Sequence, residues 1–202
     1  VLLMCSAAGV GAGCGKSSPA LLDSFGTHLD TLMTSKDKLS KMDGAAADLC
    51  VIENEDEFSE NDIEAPAGAL FNITDQKTLY SKNANDEREI ASITKIMTAL
   101  LAMKYADLSQ EVTISYTPEG LESSAVLCGF EQGDKMMLSS LLSAALIYSG
   151  NDAAIDIAIA VAGSQEAFVD MMNQESKELM TSHTHFANPT GLTQSKHYSS
   201  VY

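Results

Sequence analysis

From Ser92 to Tyr105, Ile93, Ile96, Met97, Leu100 and Leu101 recur with a helical period, which predicts a helix over 92–105. Ser92 falls at one margin of that apolar stripe and Lys95 just beyond it. Further on, LSSLLSAALIYSGNDAAIDIAIAVAG reads as two helices broken at Gly150. The first is apolar on nearly every face and is expected at the centre of the core. It is too short and too interrupted to span a bilayer. SQEAFVDMMNQESKELM predicts an amphipathic helix with Phe168, Met171, Met172 and Leu179 inward. Strand-like runs are shorter. AGALFNIT and TLYSKN, separated by DQK, read as a hairpin that supplies two strands, near 67–73 and 77–82. SQEVTISYTPEG gives one short strand and a turn at Pro118, and SSAVLCGFEQGDKMML gives short strands around a glycine-containing turn. The stretch from Thr181 to Tyr202 is irregular and rich in turns. A helical centre with a flanking hairpin places the chain in the α+β class.

The pattern changes before Pro66. Residues 15–66 carry one weak helical stripe (Leu29, Leu32, Met33), followed by the acidic run VIENEDEFSENDIEAP. With few large apolar side chains to offset its ordering entropy, the run is expected to be a flexible tether. Residues 1–14 look like the remains of a signal peptide. GAGC ends at Cys14 with small residues before the cysteine, which makes Cys14 a lipidation candidate, although Gly11 stands where such sites usually have Leu. An ordinary secretory peptide, or a chain begun partway through a longer one, stays open. GKSS imitates a phosphate loop, but the glycine that loop requires is replaced by Val10 and no strand precedes it.

Composition narrows the partners. The 202 residues are 45% hydrophobic, enough for one substantial core. A formal net charge of −16, with Arg88 the single arginine, disfavours nucleic acid and anionic membrane surfaces. The four cysteines, Cys5, Cys14, Cys50 and Cys128, form no CxxC pair, so neither a zinc knuckle nor a redox pair is indicated. His183 and His185 alternate as HxH but lack a third ligand. No metal and no cofactor is called for. Met97, Met136, Met137, Met171, Met172 and Met180 are most simply core filler. Cys128 is expected to be small and at least half-buried, with nothing beside it to mark a nucleophile.

Two short motifs carry chemistry. In SITK, Ser92 and Lys95 are three residues apart, so on a helix they share a face. Serine needs an adjacent base to become a nucleophile. Lysine is normally protonated, but partial burial or a neighbouring cation lowers its pKa and frees the amine. A capping serine followed by a lysine reaching for solvent explains the same spacing without catalysis. In YSGNDAA, Ser149 and Asn151 sit between two apolar helices, where polar groups are costly unless used. They either cap the following helix or form a second polar wall facing Ser92 and Lys95.

Together the two motifs resemble the serine penicillin-binding enzymes, whose signatures are SxxK, SDN or its variants, and KTG. The closer likeness is to the low-molecular-weight D-alanyl-D-alanine carboxypeptidases. NANDEREIASITKIMTALLAM is similar to that family's stretch around its nucleophile, and LIYSGNDAAIDIAIAVAGSQEAFVDMMNQESKELMTSHTHFANPTGL to its second motif and the helix and loop beyond; HYSSVY resembles the start of the next family helix. The resemblance implies a penicillin-binding transpeptidase fold, a helical subdomain with an antiparallel sheet, over residues 67–202. It implies Ser92 as the acylated nucleophile, Lys95 as base, Ser149 assisting proton transfer and Asn151 orienting the substrate backbone. The substrate would be a peptidoglycan stem peptide ending in D-Ala-D-Ala, with β-lactams as covalent inhibitors. The location would be the bacterial cell envelope, anchored at the outer face of the cytoplasmic membrane. Departures are Ile90 where the family usually has Pro and Gln76 where its first hairpin has Gly. The larger departure is that no KTG or KSG occurs in the sequence. The C-terminal strands that carry it in the family are therefore expected beyond Tyr202, and the chain is expected to be truncated. A serine β-lactamase is the alternative, but Glu166, Glu175 and Glu178 do not lie on the loop its deacylating glutamate would need. A non-catalytic wall-binding domain of the same fold is the other.

Overall fold

In the computed structural model the described residues are 63–72, 74, 77–116 and 121–201. Cys14 and the expected tether up to residue 62 lie outside them, as do Gln76 and Pro118. The first strands, β1 (Gly68–Asn72) and β2 (Lys77–Lys82), form an antiparallel ribbon whose register slips between Leu70 and Phe71. A tight turn of 3₁₀ helix, Ala91–Thr94, leads directly into α1 (Lys95–Tyr105). A second antiparallel ribbon pairs β3 (Glu111–Thr113) with β4 (Lys135–Met137). Then come α2 (Leu138–Ile147), α3 (Asn151–Ala162) and α4 (Gln165–Glu178). Of the short strands expected around the glycine-containing turn of SSAVLCGFEQGDKMML, the later is β4 and the earlier is absent from 123–133. That stretch is coil, held by side chains rather than by a ladder: Asp152 accepts from the backbone N–H of Cys128 and of Gly129.

The helix boundaries follow from local chemistry. Gly163, with φ 83°, ends α3 in the left-handed conformation that suits glycine, and its N–H closes on the Ile159 carbonyl. Ser164 then caps α4 by accepting from Ala167 N–H. The break between α2 and α3 falls at Tyr148–Gly150, as the Gly150 position predicts. Gly150 is also sterically required: a Cβ there would lie 2.3 Å from the Cys128 sulfur.

The centre of the core is α3, not α2 as the hydrophobic pattern suggests. Residues Asn151–Ala158 of α3 are all buried, and the helix packs against α1, α2 and α4. By contrast α2 ends in exposed Leu146, Ile147 and Tyr148. Small side chains explain the difference, because the alanines of NDAAIDIAIAVA let three helices approach closely, whereas the bulk of α2 needs room on one side. One apolar cluster joins Leu138, Leu141, Leu142, Ile114, Ala154 and Ile157, and another joins Leu101, Ala158, Phe168, Met172 and Phe186. Of the other residues expected in the core, Met171 is partly buried, while Leu179, Met137 and Met180 are exposed. Leu179 and Met180 lie beyond the end of α4, where the periodicity no longer applies.

A larger correction concerns α1. Its buried face is Lys95, Thr98, Ala99, Leu101 and Ala102, while Ile93 and Ile96 of the apolar stripe are each 65% exposed. They line an open apolar groove of about 680 Å³ with Leu100, Phe186, Leu179 and Val201. The helix is rotated because its polar side chains have fixed partners inside. Thr98 Oγ1 donates to the Pro189 carbonyl at 2.7 Å and Lys95 Nζ to the Thr190 carbonyl at 2.7 Å. Among the described residues no helix is long and apolar enough to cross a membrane.

Candidate active site

The two motifs meet at one point. Ser92, exposed in the Ala91–Thr94 turn, accepts a hydrogen bond from Ser149 Oγ at 2.8 Å and has Lys95 Nζ at 3.2 Å. Lys95 Nζ also donates to Asn151 Oδ1 at 2.9 Å. The orientation of that amide is set from its other side, since Asn151 Nδ2 donates to the Val126 carbonyl at 3.1 Å. Both serines are preceded or carried by unusual backbone: Ala91 has φ 45° and Ser149 has φ 60°, left-handed conformations that are uncommon for residues other than glycine. Such strain persists only where surrounding contacts fix it.

Lys95 is 2% exposed, so the alternative in which its head group reaches solvent does not hold. Burial lowers its pKa to about 8, and the nearby Cys128 thiol opposes that only weakly. All of its hydrogen-bond partners are neutral oxygens. Cys128 itself is half-buried, with its thiol pushed up to about 12 by burial and by Asp152, so at neutral pH it is a protonated packing group.

The Asn188–Gly191 loop completes the back of the site. Asn188 Oδ1 accepts from Thr190 N–H, Thr190 Oγ1 and Gly191 N–H, which makes an Asx turn. Gly191 has φ 86° and passes so close to the nucleophile turn that a Cβ would lie 1.8 Å from the Ala91 carbonyl oxygen. Pattern reading missed this loop's part because its contribution to Lys95 is a backbone carbonyl, which no side-chain motif encodes. It also missed the acidic residues of α3. Asp152 ties down the Cys128–Gly129 backbone, and Asp156 Oδ1 accepts from Ser115 and Tyr116 N–H, with burial raising its pKa. The signal was available, as two carboxylates four residues apart in an otherwise apolar helix. His183 lies 3.8 Å from Glu87 and His185 sits beside the Lys196 carbonyl; they belong to separate contacts.

Comparison with known proteins places the chain in a family. Residues 54–202 match the D-alanyl-D-alanine carboxypeptidase family. The chain belongs to that family. The D-alanyl-D-alanine carboxypeptidase DacF of Bacillus subtilis is 40% identical over 144 residues, covering 69% of this chain and 36% of the relative. A solved mutant of the Streptomyces K15 DD-transpeptidase superposes with a TM-score of 0.63 at 29% identity, over 68% of this chain and 57% of that one. Penicillin-binding protein D2 of Listeria monocytogenes, solved in its cefotaxime-bound form, gives 0.59 at 26% identity, over 68% and 57%. The helical layer with small antiparallel ribbons is therefore the penicillin-binding fold, and the chain spans a little over a third of the length of the Bacillus relative.

Proposed function

We propose that the protein carrying this region is a serine D-Ala-D-Ala carboxypeptidase. It removes the terminal D-Ala from peptidoglycan stem peptides through an acyl-enzyme on Ser92, and β-lactams acylate the same oxygen. The observation that carries this reading is the environment of Lys95. A neutral amine has two N–H groups and one lone pair. Asn151 Oδ1 and the Thr190 carbonyl have no proton to give, so they take the two N–H groups and leave the lone pair for the Ser92 hydroxyl. With a pKa of about 8, roughly a tenth of the lysine is neutral at pH 7, without any carboxylate to hold it charged.

In this mechanism Lys95 takes the Ser92 proton as Ser92 Oγ attacks the peptide carbonyl. Ser149, hydrogen-bonded to Ser92, relays to the departing D-Ala amine the proton that Lys95 took, which leaves Ser149 a hydroxyl and Lys95 neutral again. Asn151 helps hold the substrate backbone while keeping Lys95 aimed. Water then hydrolyses the ester, and the released Ser92 oxygen is reprotonated. The β-lactamase alternative gains no support from the glutamates: Glu175 is occupied by Lys104 Nζ at 2.7 Å, and Glu166 lies in the first turn of α4. The envelope location belongs to this reading, as does the third motif, which is absent from these 202 residues. The test is intact-mass spectrometry of the full-length protein after incubation with a penicillin, followed by peptide mapping. One adduct on the Ser92 peptide, lost in Ser92→Ala, is expected. No adduct, or one on another residue, overturns the assignment.

A further inference from the structure

His197 plays no part in either motif, yet it is 4% exposed and lies directly behind them. Its Nδ1 accepts from the Ala187 N–H at 3.0 Å. An imidazole nitrogen that accepts is unprotonated, so the neutral ring carries its proton on Nε2. That nitrogen is 2.7 Å from Thr94 Oγ1, and the proton therefore points at the hydroxyl. Thr94 is fully buried, and it stands between Ser92 and Lys95 in the turn that presents both. Ala187 begins the stretch whose Pro189 and Thr190 carbonyls receive Thr98 and Lys95. Phe186 packs its edge against the imidazole.

We propose that His197 is a positioning residue: its neutral ring clamps the loop that holds Lys95 against the turn that carries Ser92, by donating to Thr94 and accepting from Ala187. This rests on the acyl-enzyme reading above. The two bonds have opposite polarity, so only one form of the ring makes both. A protonated ring has N–H on each nitrogen and faces the Ala187 N–H donor to donor. The loop must then withdraw, taking the Thr190 carbonyl from Lys95 and loosening the aim of its lone pair. The titratable groups around the ring are His185 and Glu89, with Lys95 one residue past Thr94. Burial is the main reason the ring resists protonation below its ordinary range, His185 adds to it and Glu89 opposes it.

The clamp is tested in the full-length protein by penicillin acylation kinetics of four variants. His197→Phe keeps the volume and makes neither bond. His197→Gln keeps a donor toward Thr94, His197→Asn keeps an acceptor toward Ala187, and Thr94→Val removes the hydroxyl. His197→Phe is expected to slow the acylation step about 10–100-fold while leaving the non-covalent dissociation constant unchanged, as a misaimed base does. His197→Gln recovers most of the rate, and Thr94→Val added to His197→Phe costs nothing further. Below about pH 8 protonation of Lys95 slows wild type and His197→Gln alike; at more acid pH protonation of the ring adds a second loss, which steepens the wild-type profile and is absent from His197→Gln. Wild-type kinetics in His197→Phe, or the same steepening at acid pH in His197→Gln, overturns the clamp. If neither wild type nor variant acylates at all, the enzyme reading has failed, and the clamp is judged by ¹⁵N-histidine NMR. There the Nε2–H tautomer, with a bond to Thr94 lost in Thr94→Val, supports it, and a charged ring or the Nδ1–H tautomer at neutral pH overturns it.

Discussion

Two lysines stand at opposite ends of α1, and their surroundings drive them in opposite directions. Lys95, in the first turn, is buried among neutral oxygens, and its pKa falls to about 8. Lys104, in the last turn, reaches Glu175 at 2.7 Å and Glu178 at 3.4 Å, and hydrogen bonding to Glu175 raises its pKa well above the ordinary range. Residue type and helix are the same. What differs is burial and the charge of the acceptors: Lys95 is out of water among oxygens that carry no charge, whereas Lys104 is partly exposed and meets a carboxylate, which favours the ammonium more strongly than a carbonyl does. The first arrangement leaves an amine available for proton transfer, and the second fixes a cation that holds α1 to α4.

The largest expected effect comes from removing the distinctive member. Lys95→Ala lowers penicillin acylation about 10²–10⁴-fold, the range for loss of a general base. Lys104→Ala leaves the rate within about two-fold, since surface substitutions away from the site have small effects. Acylation timed by gel fluorescence separates the two. Lys95→Ala also leaves Asn151 Oδ1 and the Thr190 carbonyl without their donor, so it destabilises the fold by about 1–3 kcal/mol, and the rate is compared at a temperature where both proteins are folded.

Next in size is the pH dependence. Protonated Lys95 cannot accept the Ser92 proton, so acylation rises with pH and levels above about 8. In Lys104→Ala the midpoint stays where it is. A profile flat between pH 6.5 and 9 would show that another group accepts the proton.

Smaller again is the structural cost of the second arrangement. Glu175 is only 5% exposed, and without Lys104 its carboxylate keeps a single side-chain donor, Tyr105 OH at 3.4 Å. Lys104→Met is expected to cost about 1–3 kcal/mol in denaturant unfolding, and Glu175→Gln in that background recovers part of it. The smallest effect belongs to the exposed pair Lys135–Glu111 across β3 and β4, where Lys135→Ala costs no more than about 1 kcal/mol.

The contrast also marks how far the sequence could be read. SxxK and SGN put four side chains on the page, and the helices that carry them follow from periodicity, Gly150 and Gly163. Local pattern also gave the β1–β2 hairpin. The rotation of α1 was not legible. Ile93, Ile96 and Leu100 outline an apolar face, but which face turns inward was decided by Pro189 and Thr190 carbonyls some ninety residues away in sequence. The same holds for His197, whose role depends on a backbone N–H and a threonine hydroxyl, neither of which carries a motif. Nor could the pattern tell that Lys104, three residues past Leu101 at the end of the apolar stripe, would meet carboxylates from α4.

The most direct measurement is an NMR titration that follows the side-chain Cε of each lysine in the full-length protein, with Lys95→Arg and Lys104→Arg used for assignment. One resonance should titrate near pH 8 and vanish in Lys95→Arg. Another should stay charged beyond the ordinary lysine range and vanish in Lys104→Arg. A Lys95 that titrates at or above its ordinary value of 10.5 would contradict the account, because the amine would then lack the neutral form on which the proposed chemistry depends.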